Sequence, residues 1–513
     1  MDNLKPAPEE TAETALHKGR LGVWGIVFFV VAASAPLVGM TGAVPVAIVL
    51  GNGAAVPGAY VWAGVTLILF SVGYAAMSHK VTNTGAFFAY VGRGLGIGPG
   101  VGSAFVSLVA YIAVQLAIFG FFGAVASAEI SDQFGINWDP YVWALIAWVL
   151  VTGLSLLSVD IGAKVLGVFM TLEVLSLFVM ALAVIFTGGG PDGFDLGASF
   201  APNNVLVGGL TGTAGIALAF AFASYIGFEA TAIYGEESKD PKRTVPRATY
   251  IAVGLITALF ALSTFAIVSY LGSSAVIEEV LARSEGLANP AAVVFTVAEA
   301  SVGDWLGSWA GTLVSTTMEW LVLSSLFAGL LAFQNSAARY FFSLGRAGVL
   351  PNSLDRVNGR GAPVIASLTT SVITLIVIVL FWVTDKDPVG NLFFWLSALA
   401  VLAIVLVEIL VSISVITYFQ RIGETRVWHT LIAPILAIIG LGLAMYLLMA
   451  RFNLLAGTAA DGVDPSLPES SWQLNTLGWT LVLLPFVMFV IGWVVGLIRR
   501  SEENEDAVKD LVT

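Results

Sequence analysis

Long apolar runs recur along almost the whole chain, and they limit its fold more than any other feature. A helix needs about 20 apolar residues to cross the ~30 Å hydrocarbon layer of a membrane. Only 11% of the 513 residues are charged, against roughly 25% in an average soluble domain. The sequence therefore predicts an all-α polytopic membrane protein. We place twelve spans, at 22–50, 56–78, 99–128, 140–158, 162–187, 212–236, 248–271, 309–343, 364–384, 392–418, 429–451 and 477–498.

The positions of the basic residues indicate how these helices are oriented. If both termini lie in the cytoplasm, all but three of the 22 Lys and Arg residues fall on the cytoplasmic side. The exceptions are Arg283, Lys386 and Arg451. Shifting the count by one span would remove this bias, so the positive-inside rule supports the number of spans. Residues 1–20 and 499–513 are then cytoplasmic tails, and a bacterial plasma membrane is the expected location.

The composition argues against several function classes. The chain has no cysteine, and its three histidines lie at span edges. Thiolate metal sites and cysteine nucleophiles are thus excluded, and no metal site is indicated. The segment GRGLGIGPG at 92–100 does not match a dinucleotide-binding fingerprint, and no P-loop is present. We therefore expect neither an enzyme nor an ATP-driven pump, and no cofactor and no nucleic-acid partner.

Two predicted spans carry helix-interrupting residues in their centres. Span 1 reads VVAASAPLVGMTGAVP at 30–45, and span 6 reads AFASYIGFEAT at 221–231. The two lie five spans apart, so the second enters the membrane in the opposite sense. Broken helices in two inverted halves are typical of secondary transporters that bind substrate at the bilayer midplane. For span 1 alone, the alternative is a proline kink in a packed helix. For the whole protein, a channel is an alternative, but it would require a continuous pore lined by rings of like residues.

Three segments resemble amino acid–polyamine–organocation permeases. The segment GFEATAIYGEESKDPKRTVPRA at 227–248 is similar to the loop that follows span 6 in that family. TNTGAFFAYVGRGLG at 82–96 and NSAARYFFSLGRAGVLPNSLDRVNGRGAP at 335–363 are similar to the connections after spans 2 and 8. The three occur in the family's order, and the resemblance covers about residues 20–450.

The resemblance implies a fold and a mode of action. The fold is the LeuT-like 5+5 inverted repeat, with broken helices 1 and 6 and two extra C-terminal helices. The repeats would be 21–187 and 188–420, and the extra helices would lie in 421–498. The implied activity is alternating-access transport of amino acids, with a polyamine or another amine as the alternative cargo. A proton gradient is the expected energy source, while a sodium gradient, exchange instead of symport, and a monomer or a homodimer all remain open.

The chemistry of an amino acid indicates which backbone groups would bind it. Free amides at the start of a half-helix suit a carboxylate, and unwound carbonyls suit an ammonium group. We expect the carboxylate near Ser34, Ala35, Pro36, Leu37, Val38 and Gly39. We expect the ammonium group near Ala223, Ser224, Tyr225 and Ile226, on a side that Gly227 also shapes. The family's usual Gly-x-Gly is absent from span 1, so which amides face the ligand stays open.

The resemblance also implies roles for single side chains. Tyr111, Gln115 and Phe333 match positions that contact substrate in the family, with ordinary helix packing as the alternative for each. Charged groups inside a membrane cost about 2.5–3.5 kcal/mol or more, so they need a function. Glu173 matches a position where some proton-coupled relatives carry a lysine in place of sodium. We predict Glu173, Glu229 and Glu408 as candidate proton-coupling residues, with a purely structural role as the alternative for the first two.

Overall fold

The computed structural model of the chain describes residues 22–80, 86–157, 163–229, 231, 240–359 and 361–498. This part consists of helices joined by turns and loops, and its β-pairing is limited to isolated bridges at Val357–Pro363 and Ala459–Leu474. The long helices are Val23–Ser34, Val56–Ser78, Ala86–Leu95, Ile97–Phe134, Pro140–Ser155, Ala163–Thr187, Ala214–Ala223, Pro241–Leu271, Ala291–Leu306, Ser308–Arg346, Val364–Val383, Phe394–Arg421, Ala433–Ala450 and Thr476–Ile498.

Shorter turns connect and extend these helices. Residues 36–52 form a run of α-helical and π-helical turns, namely Pro36–Val38, Gly39–Ala43, Val44–Val46 and Ala47–Asn52. Two further π-helical turns precede long helices, at Pro388–Phe393 and Trp428–Ile432. The remaining short α-helices are Leu196–Phe200, Pro202–Val205, Val276–Arg283 and Phe452–Leu455, and the 3₁₀ turns are Gly53–Ala55, Gly209–Thr211, Asn352–Asp355 and Pro468–Ser470.

Nine segments within the described residues are long and apolar enough to cross a membrane. A tenth is obtained if Pro202–Thr211 and Ala214–Ala223 count as one span, although the chain bends by 114° between them. The segment Pro36–Ser78 contains both predicted spans 1 and 2, and its backbone leaves helical geometry at Gly51. The helix at predicted span 4, Pro140–Ser155, has only 16 residues. The predicted all-helical, multi-pass architecture is confirmed, whereas the count of twelve stays a prediction.

The helices differ greatly in how much of their surface other helices cover. Ile97–Phe134 packs against Ser308–Arg346, Phe394–Arg421 and Thr476–Ile498, and 72% of its most apolar stretch is buried. For Thr476–Ile498 that fraction is 28%. The uncovered side of this last helix is apolar, as at Val490 and Ile498. Such a surface is suited to lipid, so Ile97–Phe134 is central and the C-terminal helix is peripheral.

Several glycines allow helix backbones to touch. A Cβ atom added at Gly215 would overlap the backbone of Leu447, and one added at Gly94 would overlap that of Ser414. Small residues at such contacts permit the close packing that associates membrane helices where no hydrophobic driving force exists between them. These two contacts hold Ala214–Ala223 and Ala86–Leu95 in place against later helices of the chain.

Candidate functional site

The first predicted span is interrupted at Ala35. This residue has φ 41° and ψ 70°, the left-handed region, between the helix Val23–Ser34 and the turn that begins at Pro36. A proline disfavours right-handed helical geometry in the residue before it and has no amide to continue the hydrogen-bond ladder. The interruption that the sequence predicted in this span is therefore present, and Pro36 explains its position.

The carboxyl group of Glu173 lies at the start of the helical turns that follow this break. It lies near the backbone amide of Leu37 and interacts with it electrostatically. It accepts a hydrogen bond from Ser325 Oγ, with 2.8 Å between the oxygen atoms. The Glu173 side chain is buried, and a carboxyl group at the start of helical turns is favourably placed. One of the amides that we expected to face a substrate carboxylate thus interacts with a carboxyl group of the protein itself.

The helix Ala214–Ala223 ends in the middle of predicted span 6, and residues 224–229 form turns. Gly227 has φ 111°, a conformation that side-chain-bearing residues rarely adopt. Its amide donates to Glu229 Oε2 at 2.9 Å, and the Tyr111 hydroxyl donates to Glu229 Oε1 at 2.8 Å. The Tyr74 hydroxyl donates to the Glu229 carbonyl at 2.9 Å. These bonds suit the structural role that is the alternative for Glu229, and its role in proton coupling stays a prediction.

Two of the carbonyls expected to bind an ammonium group are engaged within this turn. The Ala223 carbonyl accepts from the Ile226 amide, and the Tyr225 carbonyl accepts from the Phe228 amide, each at 3.1 Å. Ser224 and Ile226 are the other two positions in the predicted set. Because the first two oxygens are in use, the carbonyls of Ser224 and Ile226 are the better candidates. Residues 230 and 232–239, which would complete span 6, lie outside the described residues.

The two interruptions lie side by side. A Cβ atom added at Gly39 would lie 3.1 Å from Ser224 Oγ and 2.6 Å from Phe260 Cε1. The Tyr60 hydroxyl is 3.0 Å from Ser224 Oγ, and the Tyr60 and Phe260 rings stack with their centroids 5.0 Å apart. Glycine at 39 is thus required by the close approach of the Phe260 ring. The structure thus brings the two interrupted segments together at Gly39 and Ser224.

Tyr225 points toward the helices of spans 2 and 7. Its hydroxyl oxygen is 3.0 Å from Thr257 Oγ1 and 3.1 Å from the Tyr60 carbonyl oxygen. Its ring lies against Phe260, with 6.3 Å between the centroids. This side of the second break is therefore aromatic and buried.

The residues matched in spans 3 and 8 lie on the other side of the second break. The Tyr111 and Phe333 rings stack, with their centroids 6.3 Å apart, and both side chains are buried. Tyr340 contacts Tyr111 edge-on at 5.3 Å. Gln115 lies one helical turn from Tyr111, and its Nε2 donates to Gln334 Oε1 at 2.8 Å. Tyr111 and Phe333 are thus brought to the break, while Gln115 bonds to a neighbouring helix.

The three candidate coupling glutamates occupy two places. Glu173 lies at the first break, whereas Glu408 interacts electrostatically with Glu229 at the second. The Glu408 side chain is buried, and its Oε2 atom has no hydrogen-bond partner in the part of the chain that the structure describes. Among these same residues, no cluster of three His, Asp or Glu side chains is placed to hold a metal ion.

Several residues at this site were not predicted from the sequence. Tyr60, Phe260, Ser325 and Gln334 all contact predicted site residues. Each lies inside an apolar run and matches none of the motifs that carry the resemblance. For Tyr60, Ser325 and Gln334 a single polar group in such a run was the available signal, and it does not indicate which helix the group faces. Phe260 is apolar and gave no signal.

The chain is similar in sequence to known permeases. The sequence model of the family described as Amino acid permease matches residues 21–505. The histidine permease of Saccharomyces cerevisiae is 27% identical over 293 residues, which are 56% of this chain and 46% of the yeast protein. The aromatic amino acid transport protein AroP of Escherichia coli O6:H1 is 22% identical over 355 residues, 68% of this chain and 70% of AroP. The histidine permease HisP of Lactococcus lactis subsp. cremoris is 24% identical over 335 residues, 62% of this chain and 64% of HisP.

The family match covers the described site and the helices that form it. The aligned region spans less than half of the yeast relative, and the family match extends over nearly all of this chain. The long apolar helices independently indicate a multi-pass membrane protein. The chain therefore belongs to the amino acid permease family.

Proposed function

We propose that this protein is a secondary transporter that carries amino acids across the plasma membrane by alternating access, as a proton symporter. The observation that carries the proposal is the buried contact between two interrupted helices, at Ala35 and at 224–229. Helix interruptions expose backbone groups to a small charged solute, and the membrane tolerates them only where protein or a cavity covers them. The family match supports an amino acid as that solute.

The proposed architecture has twelve spans in a LeuT-like 5+5 inverted repeat, with both termini in the cytoplasm. The two interrupted helices are the first of each repeat, in 21–187 and 188–420. Alternating access would then arise as the helices that carry the breaks move relative to those that cover them. The positive-inside distribution and the position of both breaks support this arrangement.

The proposed binding site uses both breaks. The substrate carboxylate binds the amides of Leu37 and Val38, because Pro36 has no amide hydrogen and the Gly39 amide donates to the Ala35 carbonyl. The substrate ammonium group binds the carbonyls of Ser224 and Ile226. The stacked Tyr111 and Phe333 rings cover the substrate side chain. This assignment uses backbone groups that helix geometry leaves without regular partners, so it requires no charged side chain for the α-amino acid moiety.

Glu173 supplies a physical link between proton and substrate. A carboxylate attracts the nearby Leu37 amide more strongly than a neutral carboxyl group does. Protonation of Glu173 would therefore release this amide, which is one of those expected to bind the substrate carboxylate. A proton and an amino acid would then bind together, which is the requirement for symport.

An amine or polyamine carrier of the same fold is the second candidate function. Glu408 has an unpaired, buried carboxyl oxygen and interacts with Glu229 beside the second break. Two acidic groups at one end of the site would suit a second ammonium group. The names of the relatives, which are histidine permeases and an aromatic amino acid transport protein, favour the amino acid.

The test is uptake of labelled amino acids and polyamines into proteoliposomes, with pH and sodium gradients imposed separately. We expect an inward proton gradient to drive accumulation of an amino acid. Accumulation driven by sodium alone would contradict the proton assignment, and uptake only against a counter-substrate would identify an exchanger. Selective uptake of polyamines would establish the second candidate.

The Glu173→Gln variant tests the coupling residue. We expect it to lose proton-driven accumulation but to keep exchange of labelled for unlabelled substrate, because the binding site remains. Glu319→Gln is the matched control, since Glu319 is also in a membrane helix but is only half-buried and lies among other acids. Intact accumulation in Glu173→Gln would show that Glu173 is not the coupling group.

A further inference from the structure

Gln115 presents a carbonyl oxygen that has no partner in the described part of the chain. Its side chain is completely buried, and its Oε1 atom accepts no hydrogen bond. Its Nε2 atom, in contrast, donates to Gln334 Oε1 at 2.8 Å and lies 3.4 Å from the Leu330 carbonyl oxygen. Buried acceptors are almost always satisfied, because an unpaired one loses its hydration without compensation. A donor is therefore expected at this oxygen when the protein functions.

The orientation of the Gln115 amide follows from its neighbours. Gln334 Nε2 donates to the Ser367 carbonyl at 2.9 Å, and a backbone carbonyl can only accept. Gln334 must therefore present its oxygen to Gln115, and Gln115 must present its nitrogen to Gln334. The Leu330 carbonyl imposes the same choice on Gln115. The unpaired oxygen is thus a consequence of the network and not of an arbitrary amide assignment.

The network also holds this oxygen rigidly. Gln334 Nε2 lies 3.0 Å from Ser371 Oγ, to which Thr152 Oγ1 donates at 2.9 Å. Trp148 Nε1 donates to the Ser371 carbonyl at 2.9 Å. The glutamine pair is therefore tied to four helices, Ile97–Phe134, Pro140–Ser155, Ser308–Arg346 and Val364–Val383. An acceptor held in this way loses little conformational freedom when a ligand donates to it.

The position of Gln115 places this acceptor beside the proposed substrate site. Gln115 and Tyr111 are four residues apart in one helix and so share a face. Gln334 directly follows Phe333 in the helix Ser308–Arg346. The Tyr111 and Phe333 rings stack. An apolar surface formed by two rings thus adjoins a single, oriented hydrogen-bond acceptor.

We propose that Gln115 is a specificity-determining residue whose Oε1 atom accepts a hydrogen bond from the substrate side chain. The preferred substrates are amino acids whose side chain combines a flat or apolar body with an N–H or O–H donor. Phenolic, indole, imidazole and carboxamide side chains meet this description, whereas purely hydrocarbon ones do not. This inference rests on the proposed function and adds to it the class of side chain that is carried.

The test compares pairs of substrates that differ in a donor, by initial rates of uptake into proteoliposomes. Suitable pairs are tyrosine with phenylalanine, tyrosine with O-methyltyrosine, and glutamine with methionine. We expect the apparent KM of the donor-bearing member to be lower by at least about tenfold, because a site built to pair with a polar group rejects an analogue that lacks it. In Gln115→Met, which keeps a similar volume but has no acceptor, the ratio of KM values should fall to about one.

Two further variants separate recognition from packing. Ser371→Ala removes one of two acceptors of Gln334 Nε2 and leaves the Ser367 carbonyl, so the Gln115 orientation and the KM ratio should be retained. Gln334→Met frees the Gln115 amide to rotate, so the ratio should fall while phenylalanine uptake persists. Thermal unfolding of each purified variant shows whether it is folded. The wild-type comparison of tyrosine with O-methyltyrosine needs no variant at all.

The outcomes distinguish this inference from the proposed function. If wild-type protein transports both members of every pair with equal KM, the inference is wrong and amino acid transport stands. An unchanged KM ratio in folded Gln115→Met would also overturn it, since the donor would then be recognised elsewhere. If no amino acid is transported, the proposed function and the inference both fail.

Discussion

Glu229 shows how one side chain can stabilise an interrupted membrane helix. Its two carboxyl oxygens accept from a backbone amide in the break and from Tyr111 in another helix. In hydrocarbon surroundings, backbone groups that leave the helix ladder must find partners within the protein. At the scale of the residue, both carboxyl oxygens of Glu229 and the Gly227 amide thus have partners contributed by neighbours.

Replacing Glu229 by glutamine should destabilise the folded protein. The amide nitrogen of Gln cannot accept, so either the Gly227 amide or the Tyr111 hydroxyl would lose its acceptor. We expect the free energy of unfolding to fall by about 1–3 kcal/mol, as for a buried donor left unpaired. Denaturant unfolding in detergent micelles measures this loss. Tyr111→Phe is the control, because it removes one hydrogen bond and leaves the Gly227 amide paired. A smaller loss of unfolding free energy in Glu229→Gln than in Tyr111→Phe would contradict the argument.

The interruption in the first span depends on the backbone conformation of a single alanine. Ala35 lies in the left-handed region, which is sparsely populated by residues other than glycine. The neighbouring Pro36 and the Glu173 carboxyl group then define where the next helical turns begin. At the scale of the element, local stereochemistry at Ala35 and Pro36 thus accounts for the break, beside the contact of Glu173 with the Leu37 amide.

Substitutions at Ala35 should follow the cost of left-handed backbone. Ala35→Gly should leave the stability unchanged or raise it by up to about 1 kcal/mol, because glycine adopts positive φ freely. Ala35→Val should cost about 1–3 kcal/mol, because a β-branched side chain is strongly disfavoured there. Unfolding of the two variants side by side tests this. Equal stability of both would show that residue 35 is not left-handed in the native protein.

The contact between the two breaks gives a second prediction for these elements. In Gly39→Ala the new methyl group would meet the Phe260 ring, so we expect a loss of about 1–3 kcal/mol from overpacking. Adding Phe260→Leu should recover part of that loss, because it removes the ring that the methyl group meets. Uptake assays on the same variants would show whether the contact affects transport. Additive effects in the double variant would indicate that the two residues are not in contact.

The whole molecule combines a central helix with others that are mostly open on one side. Ile97–Phe134 is surrounded by protein, whereas Val364–Val383 and Thr476–Ile498 bury about a third or less of their most apolar stretch. Their open surfaces carry exposed apolar side chains such as Val383 and Ile498. This distribution suits a lipid environment. The apolar surfaces do not set the orientation of the protein in the membrane, which depends on the charged connecting segments.

The cysteine-free chain allows that orientation to be tested directly. Single cysteines are introduced at the exposed positions Glu278, Asp461, Asp355 and Arg421. In intact cells, a membrane-impermeant maleimide should label the first two, and the last two only after permeabilisation, as the positive-inside rule requires. The natural cysteine-free chain is the control for background labelling. Labelling of Asp355→Cys in intact cells would contradict cytoplasmic termini combined with twelve spans.

The helix boundaries show how well the length of an apolar run predicts the length of a helix. The predicted span 56–78 coincides with the helix Val56–Ser78, because this segment is apolar from end to end. The span predicted to start at 248 instead belongs to a helix that begins at Pro241, seven residues earlier. Its first turns are polar, and the Asp240 carbonyl accepts from the Arg243 and Thr244 amides. Membrane thickness limits the apolar part of a helix but not its extension into water.

The sequence by itself determined that the chain lies in a membrane and where its helices are interrupted. Run length, basic residues and the placement of Pro36, Gly39 and Gly227 carry that information locally. Only the tertiary structure decided the partners of the polar groups inside, such as Tyr111 with Glu229 and Gln115 with Gln334, which are 118 and 219 residues apart. The physical reason is that lipid and protein interior are similarly apolar, so the hydrophobic pattern of a span does not show which face meets another helix.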